Sequence, residues 1–359
     1  MTSITHSSPP SQGPSSGAPA ASRSSSDPAA TGLASHDVSA FADGLDATSP
    51  EARRVAAEID ATLRSTGFLL VTGHGVEPAV RSAYFEAMRE FFALPLGAKE
   101  AISIDRSEFH RGYVGMETES LEGALGNDDD AIGEATAGDL KETLDTGIEH
   151  GLDHPEVVDG TPFHGPNQWP DLPGFREAVE EYRTAVTAAA RRVQRALAVA
   201  LDLEPEFFVD RPGETMYHLR MVHYPPMEQV TPEPGQLGCG AHTDYGTVTL
   251  LADDGIGGLQ VRQRSGEWTD VSVPGDALVV NLGDLMAIWT NDRWVSTLHR
   301  VGNPPAGADN VDRISLVYFH SPNHDALIKC IPACVGEGGP KYPPITFADH
   351  YLGKVMKAA

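Results

Sequence analysis

Basic side chains are scarce in this sequence: 26 Lys and Arg stand against 51 Asp and Glu, for a formal net charge of -25. An acidic surface of that size repels phosphate backbones and anionic lipid, so nucleic acid and membranes are not expected partners. Cysteine is nearly missing. Only Cys239, Cys330 and Cys334 occur in 359 residues, which excludes a disulfide framework and fits a reducing, cytoplasmic setting. Cys330 and Cys334 flank Ile331-Pro332-Ala333, a spacing too wide and isolated for a zinc knuckle, so both are expected to be structural. No apolar run approaches the roughly 18 residues of a membrane span. The opening residues also lack a charged segment followed by an apolar one, so a secretory leader is not expected.

What is present divides the chain. Residues 1–34 are a low-complexity mixture of Ser, Pro, Ala and Gly that cannot bury enough surface to offset its ordering entropy, and a disordered tail is expected. Its composition is acid-poor like a transit peptide, but Arg23 is its one strongly basic residue, which argues against targeting. Residues 35–359 are expected to form one domain. It starts with an αβα part over 35–110: a short edge strand over 37–41, a helix capped by Ser49 and Pro50 with Val55, Ile59 and Leu63 on one stripe, a buried strand at Phe68–Thr72, and a helix over 77–92. Residues 117–140 are acidic and Gly-rich around Asp128-Asp129-Asp130, without the ligand spacing of an EF-hand, and predict a mobile surface loop. The spacing of Phe175, Val179, Tyr182, Val186, Val193 and Leu197 predicts a long helix over 172–203 lying along the outside of a sheet. A last helix is expected over 346–357.

From Thr215 the period shortens. Segments 216–223, 247–251, 259–264, 268–273, 277–281 and 314–320 read as strands separated by turn residues, with no helix-length segments between most of them. The fold class is therefore mainly β with flanking helices: a double-stranded β-helix, or jelly-roll, core over about 214–325 with the long helix packed along it.

Inside that core lies Gly240–Leu251, reading GAHTDYGTVTLL. Residues i and i+2 of a strand share a face, so His242 and Asp244 can converge on one cation. They need a third ligand, and the histidines that follow are His299, His320, His324 and His350. His299 is the best placed, after a turn-rich segment that can reverse the chain. Two imidazoles and a carboxylate on one face suit non-haem Fe(II), although zinc accepts the same donors. Arg313 and Ser315 alternate onto one face of an apolar strand, where a guanidinium fork beside a hydroxyl suits a carboxylate.

The segments GAHTDYGTVTLL, GGLQV, NLGDLMAIWTN, STLHRV and RIS, in this order, resemble the Fe(II)/2-oxoglutarate-dependent oxygenases of the isopenicillin N synthase-like group. Further similarity lies at Gly67–Val76, Arg111-Gly112-Tyr113, Asp139-Leu140-Lys141-Glu142 and His223-Tyr224-Pro225-Pro226, so it spans roughly residues 36–355. The resemblance implies that His242, Asp244 and His299 hold Fe(II), and that Arg313 and Ser315 bind the distal carboxylate of 2-oxoglutarate with Tyr224 as a further hydrogen bond. It implies dioxygen as co-reactant, ascorbate as a possible reductant, and release of succinate and carbon dioxide as a small-molecule substrate is hydroxylated, desaturated or cyclised. The family's asparagine before Tyr224 is His223 here, expected to be a packed or hydrogen-bonded histidine rather than a ligand. His74, Trp289 and Trp294 are expected to be structural. Arg111, Tyr113, Arg220, Tyr245 and Phe319 are candidates for the substrate side of the pocket, and Lys141 and Glu142 either join them or form a buried pair.

Two alternatives remain at this level. The same group contains Fe(II) oxidases, of the isopenicillin N synthase and ACC oxidase types, that use no 2-oxoglutarate and give the arginine and serine to another carboxylate. A zinc-binding module leaves Arg313 and Ser315 without a purpose. Natural-product substrates, antibiotic biosynthesis among them, stand beside amino acids, nucleobases and xenobiotics, and a monomer is the default assembly.

Overall fold

A computed structural model of the chain describes residues 32–121, 137–209, 215–304 and 311–358. The tail up to residue 31, with Arg23, and the Asp128-Asp129-Asp130 centre of the acidic stretch lie outside them. Two β-sheets face each other, and helices cover the far side of the larger one. Among the described residues the larger sheet has the order β1-β2-β10-β7-β12-β5-β4-β3 and the smaller β6-β11-β8-β9. This is the jelly-roll core expected from the run of short strands.

β1 (Ser35–Asp37) pairs in parallel with β2 (Phe68–Thr72). It sits two residues earlier than expected because Asp37 accepts a hydrogen bond from the Ser39 amide at 2.8 Å, turning the chain into a short 3-10 segment at Ser39–Phe41. Leu33, which falls in the segment expected to be a tail, is buried beside Phe68 and Leu70. Helix α1 (Pro50–Ser65) begins where the Ser49 hydroxyl accepts from the Ala52 amide at 3.2 Å, and Val55, Ile59 and Leu63 are its buried stripe. Gly67 then turns the chain with φ +65°, where a Cβ would meet the Val295 carbonyl oxygen at 2.3 Å.

The apolar run of β2 is buried on both faces. Phe68 and Leu70 pack between the two sheets against Leu259, Val261 and Val279, while Leu69 and Val71 join the core under the helices. That second core is closed by α2 (Pro78–Phe92) and α3 (Phe175–Ala200), whose Tyr84 and Tyr182 rings stack at 4.4 Å. α3 presents Phe175, Val179, Tyr182, Val186, Val193 and Leu197 inward, the stripe expected from its spacing.

Two strands of the large sheet were not expected. β3 (Gly112–Val114) and β4 (Glu142–Gly147) add to its edge beyond β5 (Met216–Tyr224). β4 reads Glu-Thr-Leu-Asp-Thr-Gly and is buried throughout, so the apolar alternation that marks strands is missing from it. The remaining core strands are β6 (Cys239–His242), β7 (Val248–Asp253), β8 (Leu259–Arg262), β9 (Trp268–Asp270), β10 (Leu278–Leu282), β11 (His299–Val301) and β12 (Arg313–Ser321). Short helix α4 (Asp284–Trp289) follows β10, and α5 (Phe347–Ala358) follows the core. Trp294 is buried, with its indole N–H donating to Asp60 at 2.8 Å. Buried His74 bridges the Val76 amide and the Asp276 carbonyl, the structural role expected of it.

Candidate metal centre

Antiparallel pairing of β6 with β11 sets His242 directly opposite His299, their ring centroids 4.3 Å apart. His242 is the last residue of β6, and Asp244 lies in the turn beyond it. A shared strand face, the basis of the expectation, is therefore not what joins them: the turn carries the carboxylate back across the strand end. Asp244 Oδ1 is 3.7 Å from His299 Nε2 and 4.0 Å from His242 Nε2. The three donor atoms lie within 4.8 Å of one another.

Their other atoms are committed elsewhere. His242 Nδ1 donates to the Gly240 carbonyl at 2.8 Å and His299 Nδ1 to the Thr297 carbonyl at 3.2 Å, which leaves both Nε2 lone pairs facing Asp244. Asp244 Oδ2 accepts from the Asn281 amide at 2.6 Å and from the Thr249 hydroxyl, leaving Oδ1 for the centre. Such outer contacts orient ligands and fix their tautomers. Burial pushes the Asp244 carboxyl up, but His299, His242, Thr249 and Asn281 together hold it below its ordinary value. Burial, reinforced by His242, lowers the His299 imidazole to about 4 against the pull of Asp244, so it is neutral at pH 7, as a ligand must be. The donor set fits a divalent transition metal with positions left open. Of the later histidines, His320 is buried near Gln194 at 3.3 Å and His350 Nε2 donates to the Tyr245 carbonyl at 3.1 Å, so neither joins the three donors.

A cleft of about 70 Å³ is lined by the three donors at one part and by Tyr224 and Ser315 at another. Beside it Arg313, 5% exposed, stacks its guanidinium 4.7 Å over the Tyr224 ring. Its Nε donates to the Gly257 carbonyl and Nη1 reaches Ser315 Oγ at 3.5 Å, while buried Nη2 has no hydrogen-bond partner among the described residues. An unpaired guanidinium edge in a dry site is costly unless an anion meets it. Burial raises the Tyr224 phenol to about 12, so it is a neutral donor.

A second cavity of about 280 Å³ reaches His242 and Asp244 from the other side, with walls that include Tyr217, Phe319 and Tyr351. Arg111, Arg220, Tyr245 and Phe319, all expected near substrate, line it. Arg111 donates through Nη1 and Nη2 to the carbonyls of Phe109, His110 and Phe163 at 3.2, 3.1 and 2.7 Å, while its buried Nε has no hydrogen-bond partner among the described residues. Tyr113 is not in this cavity; its hydroxyl donates to Glu142 at 2.6 Å, beneath the sheet edge. Glu142 also holds Lys99 at 2.7 Å and His223 at 2.8 Å, so Glu142 is a buried pairing centre and His223 is hydrogen-bonded, with Asp312 on its other nitrogen at 2.8 Å. Lys141 pairs with Asp139 and, at 3.4 Å, Glu119. The flanks of the acidic stretch, expected as surface loop, are thus partly buried. Two larger cavities, about 650 and 720 Å³, include none of the three donors.

Glu119, Asp145 and His218 were not anticipated here. Arg220 is clamped by Asp145 at 2.7 and 2.8 Å and by Glu119 at 3.0 Å twice, and His218 Nε2 lies 3.0 Å from Asp145. Asp145 faces Arg220 because β4 and β5 pair in that register. The arginine overcomes the burial that would raise Asp145 and holds its carboxyl far below the ordinary range. The available signal was a carboxylate three residues past the Asp139–Glu142 motif, but no strand was assigned there.

Comparison with known proteins identifies the family. Residues 36–172 match the family described as non-haem dioxygenase in morphine synthesis N-terminal, and residues 215–322 match the 2OG-Fe(II) oxygenase superfamily. The chain is 41% identical over 293 residues to the 2-oxoglutarate-Fe(II) type oxidoreductase hxnY of Emericella nidulans, covering 80% of each chain. It is 35% identical to a validamycin A dioxygenase of Streptomyces hygroscopicus subsp. limoneus, over 82% of this chain and 79% of that one. The crystal structure of a full-length Neurospora crassa protein in complex with alpha-KG and thymine superposes with a TM-score of 0.76 at 30% identity, over 91% of this chain and 97% of that one. With a relative this similar over four-fifths of both lengths, the chain belongs to the 2OG-Fe(II) oxygenase superfamily and is an Fe(II)- and 2-oxoglutarate-dependent dioxygenase.

Proposed function

We propose that His242, Asp244 and His299 are the iron ligands, that Arg313, Ser315 and Tyr224 hold the distal carboxylate of 2-oxoglutarate, and that the substrate is a small ring-containing molecule. The unpartnered, buried Nη2 of Arg313 beside the cleft shared with the donors is the observation that carries this reading. Bound there, Fe(II) with 2-oxoglutarate and dioxygen supplies the oxidising power, and the cosubstrate leaves as succinate and carbon dioxide. The protein's part is placement and dryness. Asn281 and Thr249 keep one Asp244 oxygen turned to the centre, and the carbonyls of Gly240 and Thr297 keep both imidazoles in one tautomer.

The 280 Å³ cavity is small for a ligand site, and its aromatic walls suit a planar or cyclic body. Arg220 is already neutralised by Asp145 and Glu119, so the cavity favours a polar but not strongly charged substrate. A neighbouring structure holds thymine, a molecule of this size and character. We further take residues 35–359 as one oxygenase unit acting as a monomer in the cytoplasm; the free thiols of Cys239, Cys330 and Cys334 support that compartment. No described helix is long and apolar enough to cross a membrane. Purified full-length chain with Fe(II), 2-oxoglutarate and a panel of small cyclic compounds should form succinate in step with one compound's oxidation. Succinate formation that no panel member stimulates would reject the proposed substrate class.

A further inference from the structure

The described residues contain a second group of donors, one residue removed from the wall of the substrate cavity. Glu156, His164 and His324 offer ligand atoms that all lie within 4.8 Å of one another. We propose that these three side chains form a second divalent-metal site, of the kind zinc fills, joining the segment after β4 to the turn after β12.

Each donor is prepared in the same way as those of the iron centre. His164 Nδ1 donates to the Pro162 carbonyl at 2.9 Å, leaving Nε2 as the lone-pair nitrogen. His324 Nδ1 donates to Asn323 Oδ1 at 3.0 Å; that oxygen also accepts the His324 amide at 2.8 Å, and the Asn323 amide is anchored on Asp325 at 2.9 Å. One Glu156 oxygen accepts from the Thr161 hydroxyl at 2.6 Å, leaving the other for an ion. Carbonyl or carboxamide contacts of this kind set ring orientation and tautomer in metal sites. The His150 ring lies parallel to His164, with centroids 5.6 Å apart at 5°, and stacks on His154 at 3.7 Å, which further limits rotation of the buried imidazole.

The backbone just before His164 is strained. Phe163 has φ +64°, a left-handed conformation uncommon for a large side chain. Such strain persists where the surroundings over-determine it. Here the Phe163 carbonyl accepts from Arg111 at 2.7 Å and its ring meets Tyr351 edge-on at 4.9 Å, so Phe163 faces the cavity while His164 faces His324. An ion held by His164 would therefore fasten one wall of the substrate cavity to the end of the core. Two imidazoles and one carboxylate disfavour calcium and magnesium, which take oxygen donors, and suit zinc with water in its fourth position. Glu156 and His324 are half-buried, which leaves room for that water.

Zinc binds the iron centre's donors as well, so the test removes that centre first. Full-length chain carrying Asp244→Ala and His299→Ala is dialysed against zinc and its metal content measured, alongside wild type and the same variant with Glu156→Gln and His324→Ala added. The expected content is about two zinc ions per wild-type chain, about one in the first variant and about none in the second. Zinc should also raise the melting temperature of the first variant and leave that of the second unmoved, since only a folded site gains from the ion. Because the added substitutions are at half-buried positions, metal-free melting of the two variants should be alike. Absence of zinc from the first variant, or its retention in the second, overturns the proposal.

Discussion

Replacing Arg313 with alanine is the most informative single change to the cosubstrate side of this site. The side chain is 5% exposed, bonds the Gly257 carbonyl and Ser315, and keeps Nη2 unpaired. A carboxylate of 2-oxoglutarate bound against that edge would, in the variant, be desolvated without its counter-charge. Truncating one side of such a pair costs about 2 to 5 kcal/mol. At about 1.4 kcal/mol per factor of ten, the 2-oxoglutarate KM should rise about 30-fold at the least and about 4,000-fold at most. Loss of the bond to the Gly257 carbonyl removes only about 1 kcal/mol from folding, so the variant should remain folded at assay temperature. Arg313→Lys keeps the charge but not the fork, and should fall between the two. Succinate formation against 2-oxoglutarate concentration, with melting curves on each variant, measures this. A folded Arg313→Ala protein whose KM stays within about threefold of wild type, well under the 2 kcal/mol floor, would refute the assignment and favour a carboxylate bound elsewhere.

Asn281→Ala leaves Asp244 Oδ2 with the Thr249 hydroxyl alone and should weaken Fe(II) affinity about 10- to 100-fold, read by metal titration, without unfolding the chain. Burial lowers the His320 imidazole from 6.5 to about 4. The unfolded chain therefore takes up that proton first, and His320's contribution is full above about pH 6.5 and declines as pH falls toward 4, by up to about 1.4 kcal/mol per unit. The difference in unfolding free energy between wild type and His320→Asn across that window should show this slope, and a flat difference would reject it. Gly67→Ala forces a side chain into a left-handed turn against the Val295 carbonyl and should destabilise the chain by more than the about 1 to 3 kcal/mol of the strain alone, seen as a lower melting temperature at unchanged metal affinity.

Much of this arrangement was legible in the residues because it follows short-range rules. The 3.6-residue stripe of α3 and the alternating apolar strands of the core state their faces locally, whereas His242, Asp244, His299, Arg313 and Ser315 were legible as a set through the family resemblance of their motifs, since it is the pairing of β6 with β11 that brings His299 to His242. What was not legible depends on pairing between distant segments. β4 is a polar strand, acceptable inside the fold only because Lys99, Arg220 and His223 arrive from other elements to meet Glu142 and Asp145. No window centred on residues 142–147 contains that information. Tyr113 lies away from the 280 Å³ cavity for the same reason, since Glu142 takes its hydroxyl. His150, His154 and His164 are ordinary loop histidines in sequence, and only the fold brings His164 beside His324.

The central claim is that one centre, built from His242, Asp244 and His299, holds iron and 2-oxoglutarate together. Anaerobic titration of the full chain with Fe(II) and then 2-oxoglutarate reads it directly, through the visible absorption that a 2-oxo acid chelated to Fe(II) produces. The account predicts that the absorption grows to saturation in wild type, needs far more 2-oxoglutarate in Arg313→Ala, and is lost in Asp244→Ala. A folded Asp244→Ala chain that develops the same absorption at the same concentrations would contradict it.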